Sequence, residues 1–280
     1  MHEKLKGVFP GIPPVANGQE LPDRPFLSVV VPVRHDRCQF LGRALSSVVS
    51  QWRDDMELVV VHAMATEPYR LAVAEVVNDH GDGKVRLAQY EDDLDCHSNW
   101  NRAVSHARGQ YVHFLHDDDY VLPGFYQAVR DKVHAAGAVA ISVGYENVND
   151  DGQIIYSSPD FQTDESGRLP LLYWRNLLLR GNPLNPPGVV LHRSVYETLG
   201  GYAPRTVFCD WEFYIRVSRF FYWHHVPEKL ARYRQHDLPS KLVYVKGTKQ
   251  VLDTAALYID AGEINAAKAL QYDQLVGSSQ

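Results

Sequence analysis

The sequence predicts an α/β protein organised around a doubly wound, mostly parallel sheet, followed by a mixed half and a C-terminal helical tail. Three observations carry that expectation. Residues 27–33 form an almost unbroken apolar run, the mark of a strand covered on both faces as central parallel strands are. Strand-like and helix-periodic segments then alternate as far as Leu115, the pattern of successive strand-helix units. Beyond Gly144 the alternation stops and turn-rich segments take over, so the second half is mixed.

After the first strand, Asp36 is placed to cap a helix in which Phe40, Leu41, Ala44, Leu45, Val48 and Val49 recur at helical spacing. A second strand spans Glu57 to His62, and a helix begun near Thr66 closes at Gly81, whose missing Cβ suits a left-handed C-terminal cap. Lys84 to Gln89 is the third strand. Ser98 caps the next helix, which carries Trp100, Ala103, Val104 and Ala107 and ends at Gly109, and Gln110 to Leu115 makes a fourth strand. Ala138 to Gly144 adds a strand, Asn149-Asp150-Asp151-Gly152 a hairpin turn, and Leu169 to Arg180 an amphipathic helix. Pro183, Pro186 and Pro187 mark an irregular loop before a short strand at Gly188 to His192. Asp210 to Phe221 forms a helix with an acidic residue at its positive dipole end. The Pro-rich stretch 1–25 is expected to be an extended arm, and residues 246–280 a helical tail.

Composition removes several function classes. With 280 residues, 45% hydrophobic and 22% charged, the chain has the make-up of a globular protein able to bury a large core. Its 28 basic and 34 acidic residues leave a net charge of -6, so a general electrostatic grip on nucleic acid or an anionic membrane is not expected. Cys38, Cys96 and Cys209 are odd in number and widely spaced, unlike a disulfide framework or a zinc site, and a reducing, cytoplasmic location is expected. Pro10, Pro13 and Pro14 interrupt any signal-peptide core, and apolar runs such as Ala135 to Val143 fall short of the ~20 residues that span a bilayer.

In doubly wound sheets, ligands gather beyond the carboxyl ends of the strands, where loop amides and helix N-termini converge. His116-Asp117-Asp118-Asp119 follows the fourth strand directly. Adjacent carboxylates repel one another unless a cation or hydrogen-bond donors offset them, and oxygen ligands suit Mg2+ or Mn2+ with positions left for phosphates. A solvated acidic turn is the plain alternative; the position after a buried strand favours a ligand site. Zinc at His113-x-x-His116 is disfavoured, because strand alternation sends residues three apart to opposite faces, and none of the 13 histidines forms a His-x-x-x-His pair.

Several motifs in this order resemble an inverting family-two glycosyltransferase of the GT-A fold, over roughly residues 27–240. Ser28-Val29-Val30-Val31-Pro32-Val33 resembles the family's opening strand. Asn99-Trp100-Asn101-Arg102-Ala103, Ala107-Arg108-Gly109-Gln110-Tyr111-Val112 and Phe114-Leu115-His116-Asp117-Asp118-Asp119 resemble the stretch ending in the metal-binding DxD signature. Leu199-Gly200-Gly201-Tyr202 and Asp210-Trp211-Glu212-Phe213-Tyr214-Ile215-Arg216 resemble the segment with the catalytic carboxylate.

The resemblance implies a GT-A domain over 26–245, with a nucleotide-binding half at 26–120 and an acceptor-side half at 121–245. It implies a metal-dependent inverting transfer of a sugar from a UDP- or dTDP-sugar to an acceptor hydroxyl or amine. Asp210 is then the general base; Asp118, Asp119 and His236 are metal ligands for Mn2+ or Mg2+; and Pro32, Val33, Arg34, His35, His62, Asn101 and Asp117 contact the nucleotide donor. The partners implied are a nucleotide-sugar and a small-molecule or glycan acceptor, with no nucleic acid, no transmembrane segment and room for a homo-oligomer. The physical requirement agrees: a departing nucleoside diphosphate gains charge that a cation stabilises, and a sugar hydroxyl needs a base to take its proton.

Two departures stand out. His62-Ala63-Met64-Ala65 replaces the acidic residue with which the second strand usually ends, and Cys209-Asp210 replaces a Glu-Asp pair. Tyr173-Trp174, Phe221-Tyr222-Trp223 and Trp211 could pack a sugar ring but are read as core more readily than as sugar platforms. A nucleotidyltransferase uses a similar sheet but needs a glycine-rich phosphate loop, which Pro32-Val33-Arg34-His35-Asp36 is not. A silent nucleotide- or sugar-binding module is the remaining rival.

Overall fold

A computed structural model describes residues 24–35, 38–204, 206–236, 241–260 and 262–264. Most of the arm, Asp36, and the tail after 264 lie outside the described residues. The core is one nine-stranded sheet in the order β3-β2-β1-β4-β8-β6-β9-β5, with β7 paired to β6. Strands β1 (Leu27–Arg34), β2 (Met56–Ala63), β3 (Val85–Gln89) and β4 (Tyr111–Phe114) are mutually parallel. The direction changes at β8 (Val189–His192), antiparallel to both β4 and β6 (Ala140–Val148). The long strand β9 (Trp223–Arg234) runs parallel to β6 and pairs antiparallel with β5 (Tyr120–Val121), while β6 turns into β7 (Ile154–Ser157) through the expected hairpin at Asn149 to Gly152.

Alternate residues of the parallel strands feed two hydrophobic layers. Val29, Val31, Leu58 and Val60 point to one face, with α1 (Leu41–Val49), α2 (Tyr69–His80) and α4 (Phe125–Ala136) packed there through Leu45, Val73 and Val129. Val30, Val59 and Val61 point to the other, covered by α3 (Cys96–Ser105), α5 (Leu171–Arg180), α6 (Arg193–Leu199), α7 (Cys209–Phe220) and α8 (Lys241–Ala255). Burial of each such side chain stabilises the fold by roughly 1.5–3 kcal/mol, which is why a doubly covered sheet is mostly apolar along its strands.

Several local expectations are corrected. Helix α1 starts after Phe40 with no side-chain cap. Gly81 is right-handed (φ -88°), and its role is steric: a Cβ there would meet Val77 O at 2.4 Å and Val85 Cγ2 at 2.7 Å, while the left-handed turn falls to Asp82 and Gly83. The cap of α3 is Asp95, which accepts from the amide of Ser98, so the two residues exchange the expected roles. That helix ends at Ser105, short of Gly109, which instead passes so close to β1 that a Cβ would sit 2.7 Å from Ser28 N. Helices α4 and α6 and most of β9 were not anticipated. Helix α8 runs across residue 246 and packs on α7.

Candidate active site

The short β4 leads straight into His116-Asp117-Asp118-Asp119, and β9 brings Tyr233, Arg234 and His236 alongside from the far end of the chain. Asp119 is buried; its Oδ1 accepts from the backbone amide of Arg234 at 2.7 Å, and its Oδ2 lies 3.3 Å from His116 Nδ1. The Arg234 guanidinium fastens the acidic loop to the β6–β7 turn, donating to the carbonyls of Asp118, Asn149 and Asp150. His236 bridges Asp118 Oδ2 at 3.1 Å and Asp150 Oδ1 at 2.8 Å.

The electrostatics are those of crowded, half-dry carboxylates. Burial opposes charge on His116, yet its bond to Asp119 and the charges of Asp119, Asp118 and Asp117 outweigh that and raise its pKa to about 9. Burial raises Asp119 to about 6, with the contact to His116 holding it back. His116, Asp118 and Asp119 each present a ligand atom within 4.8 Å of the others; His116 Nε2 is buried with no hydrogen-bond partner, and Asp119 Oδ2 is buried against His116 Nδ1. One imidazole with an unpartnered buried nitrogen beside two carboxylates fits a divalent cation, and the nitrogen ligand leans the set toward Mn2+ over Mg2+. His113 does not join them: its ring is buried between Tyr126 and the Pro187 carbonyl, as strand alternation requires.

Two adjoining cavities share Cys96, Trp100 and His116 as a common wall. One, of about 310 Å³, is lined also by Pro32, Arg34, Asn99, Asp117 and Asp118. The other, of about 480 Å³, is lined by Asn182, Asn185, Phe208, Asp210, Tyr233 and Tyr244 among others. Asp210 is the second residue of α7; Asn182 Nδ2 donates to its Oδ2 at 2.9 Å. Burial raises its pKa, against which the Trp211 amide, the charge of His116 and the Asn182 bond act. The acidic cluster and Asp210 thus face one cleft from opposite sides.

Not every expected donor-side residue faces that cleft. Val33 is in the core, and His62 is buried with Nε2 donating to the His35 carbonyl, which braces the turn after β1. His35 is held in that turn at φ 57°, and Arg34 is paired with Asp93. Asn101 spends both ends of its amide on the backbone of Tyr202. Asn99 takes the place expected of Asn101: it lines the smaller cavity and its Oδ1 is buried without a partner. The signal was present, because Cys96, Asn99 and Trp100 fall at i, i+3 and i+4 on one helix face. Asn182, Asn185 and Tyr244 carried no comparable signal. Of the aromatic residues read as core, Trp174 and Trp223 are core, Trp211 is buried but also lines the larger cavity, and Tyr222 is exposed.

The curled mixed sheet, with an acidic turn at the end of its fourth strand and a helix-borne carboxylate across the cleft, is the GT-A fold. S. aureus TarS residues 1–349 in complex with UDP superposes with a TM-score of 0.63 at 15% identity, covering 88% of this chain and 69% of that one. The mannosyltransferase PcManGT from Pyrobaculum calidifontis, in complex with GDP-Man and Mn2+, superposes with a TM-score of 0.60 at 17% identity over 96% of this chain and 74% of that one. The chain belongs to glycosyl transferase family 2, whose model matches residues 28–200. Among relatives, an uncharacterised glycosyltransferase of Haemophilus influenzae is 19% identical over 79% of this chain and 68% of its own. An uncharacterised protein of Mycobacterium tuberculosis is 32% identical over 39% of this chain, a match spanning about a third (32%) of that relative's length. No helix among the described residues is long and apolar enough to cross a membrane.

Proposed function

We propose that this chain transfers a glycosyl group from a nucleoside-diphosphate sugar to an acceptor hydroxyl or amine in a single inverting displacement. The observation that carries the reading is the pair of cavities meeting at His116 and Trp100, one walled by the acidic turn and the other by Asp210. The donor occupies the smaller cavity, its diphosphate toward Asp117 and Asp118 and its nucleoside toward Pro32, Arg34 and Asn99. His116, Asp118 and Asp119 would hold a divalent cation, which supplies positive charge against the developing diphosphate. Their set of one nitrogen and two carboxylates, with His116 Nε2 buried and unpartnered, is the part of the site that invites it.

Asp210 takes the acceptor's proton. It is the one carboxylate among the described residues lining the larger cavity, and an inverting displacement needs a base with no covalent nucleophile. Asn182 holds Oδ2, which leaves Oδ1 to meet the incoming hydroxyl. Trp100, Phe208, Trp211 and Tyr244 give the same cavity flat apolar walls for a sugar ring. That TarS was solved with UDP, and the Pyrobaculum enzyme with GDP-Man and Mn2+, supports a nucleoside-diphosphate donor and a metal. Membership of the family favours glycosyl over nucleotidyl transfer.

The test is nucleotide release from UDP-, dTDP- and GDP-sugars with Mn2+, in wild type and Asp210→Asn. At least one donor is expected to be turned over by the wild type. The variant should lose about 10²–10⁴-fold in kcat, the usual contribution of a positioned base, while retaining donor-induced thermal stabilisation. Equal turnover by the variant, or stabilisation by donor with no turnover in either protein, overturns the reading, the latter in favour of a silent binding module.

A further inference from the structure

We propose that Cys96 and Cys209 are a thiol pair that closes into a reversible disulfide across the cleft when the protein meets a hydroperoxide. Cys96 opens α3 and Cys209 opens α7, and the two side chains lie within interacting distance of each other. The contact is held by more than the two sulfurs. Asn101 of α3 clamps Tyr202 by two backbone hydrogen bonds of 3.0 and 2.7 Å, and Trp100 packs edge-on against the Tyr202 ring at 5.1 Å. Tyr202 in turn packs on Phe213 of α7 at 5.1 Å. The helix starts are therefore fixed to each other, so the thiols stay in register.

The two cysteines differ in the way a reacting and a resolving thiol must. Cys96 is exposed and lines both cavities, so a small oxidant reaches it. Cys209 is 1% exposed, which shields it from direct attack and reserves it for its neighbour. Cys38 packs against the opposite layer of the sheet and takes no part. The chemistry balances with the peroxide as two-electron oxidant. The Cys96 sulfur attacks the O–O bond, giving a sulfenic acid and releasing an alcohol or water. The Cys209 sulfur then attacks the Cys96 sulfur; the S–S bond forms, the S–O bond breaks, and water leaves with the Cys209 proton. Because Cys96 belongs to the wall shared by the cavities and Cys209 precedes Asp210, the new bond fixes a side chain of that wall to the helix that carries Asp210.

The full chain is treated with hydrogen peroxide and then alkylated, and its intact mass and peptides are read by mass spectrometry. One alkylatable thiol of three is expected to remain, at Cys38, with a Cys96–Cys209 peptide that dithiothreitol abolishes. Cys38→Ser should still form the bond. Cys209→Ser should stop at a Cys96 sulfenic acid trapped by dimedone; should that variant fail to fold, Cys209→Ala replaces it. Three alkylatable thiols after treatment, a different pairing, or a bond formed only between chains overturns the proposal. A second readout rests on the transfer reading: oxidised protein should turn over about ten- to a hundredfold more slowly, as expected of small displacements in a positioned site, and recover on reduction. The thiol count stands or falls without it.

Discussion

Asn182 donates its side-chain amide to Asp210 Oδ2 at 2.9 Å, joining the loop after α5 to the start of α7. The bond also favours the ionised carboxylate against the burial that raises its pKa. If Asp210 is the base proposed above, activity requires its ionised form, and the rate should fall as the pH drops through a limb set above the ordinary carboxylate range. Asn182→Ala should move that limb to still higher pH and lower kcat more than it raises KM. A limb unchanged by the substitution would remove Asn182 from the positioning role.

The proposed cation site has a separate signature. In chelator-treated protein, added Mn2+ should raise the melting temperature in a concentration-dependent way, by about 2.7 kcal/mol of added stability at 100 times its Kd. Asp118→Asn should abolish the rise. Differential scanning fluorimetry with Mn2+, Mg2+ and no metal distinguishes this from a general salt effect.

The pair Glu212–Arg216 is fully buried in α7, and Arg216 also donates to the carbonyls of Leu199 and Gly201. It ties the helix that bears Asp210 to the turn that bears Tyr202. Glu212→Ala leaves a buried guanidinium without its counter-ion, a change that typically costs about 3–5 kcal/mol. Urea unfolding should show that loss, and a loss under about 1 kcal/mol would mean water reaches the pair.

Glu57 on β2 accepts from Ser28 Oγ at 2.5 Å and from the amide and Nε of Arg108 at 2.6 and 2.8 Å, tying β2 to the segment before β4. Burial works against its charge, but these bonds prevail and hold its pKa below 4.5. The sign follows: a lowered carboxylate pKa adds stability that is complete above the unfolded value and fades as pH falls through the folded one. Glu57→Gln should flatten that acid limb and cost about 1–3 kcal/mol at neutral pH, measurable by urea titration across pH 3–7.

Much was written in local sequence. Apolar runs specify strands buried on both faces because a polar side chain there must find a partner inside the fold, so β1, β2 and β4 and their helices were legible, as was the acidic turn that ends β4. Adjacency also singled out Asp210. Contacts between distant segments were not legible, since one-dimensional spacing holds no record of which surface a helix turns to its neighbour. Asn101 and Asn99 look alike in the chain, and only packing against Tyr202 assigns one to the scaffold and the other to the cleft. The same holds for His116, which the fold brings within reach of Asp118 and Asp119, and for Asn182 and Tyr244, which reach Asp210's cavity from different elements. Local periodicity decided the sheet and its carboxyl-end chemistry; three-dimensional closure decided the partners of each polar side chain, because a buried donor or acceptor must be satisfied by whatever the fold brings within hydrogen-bond reach.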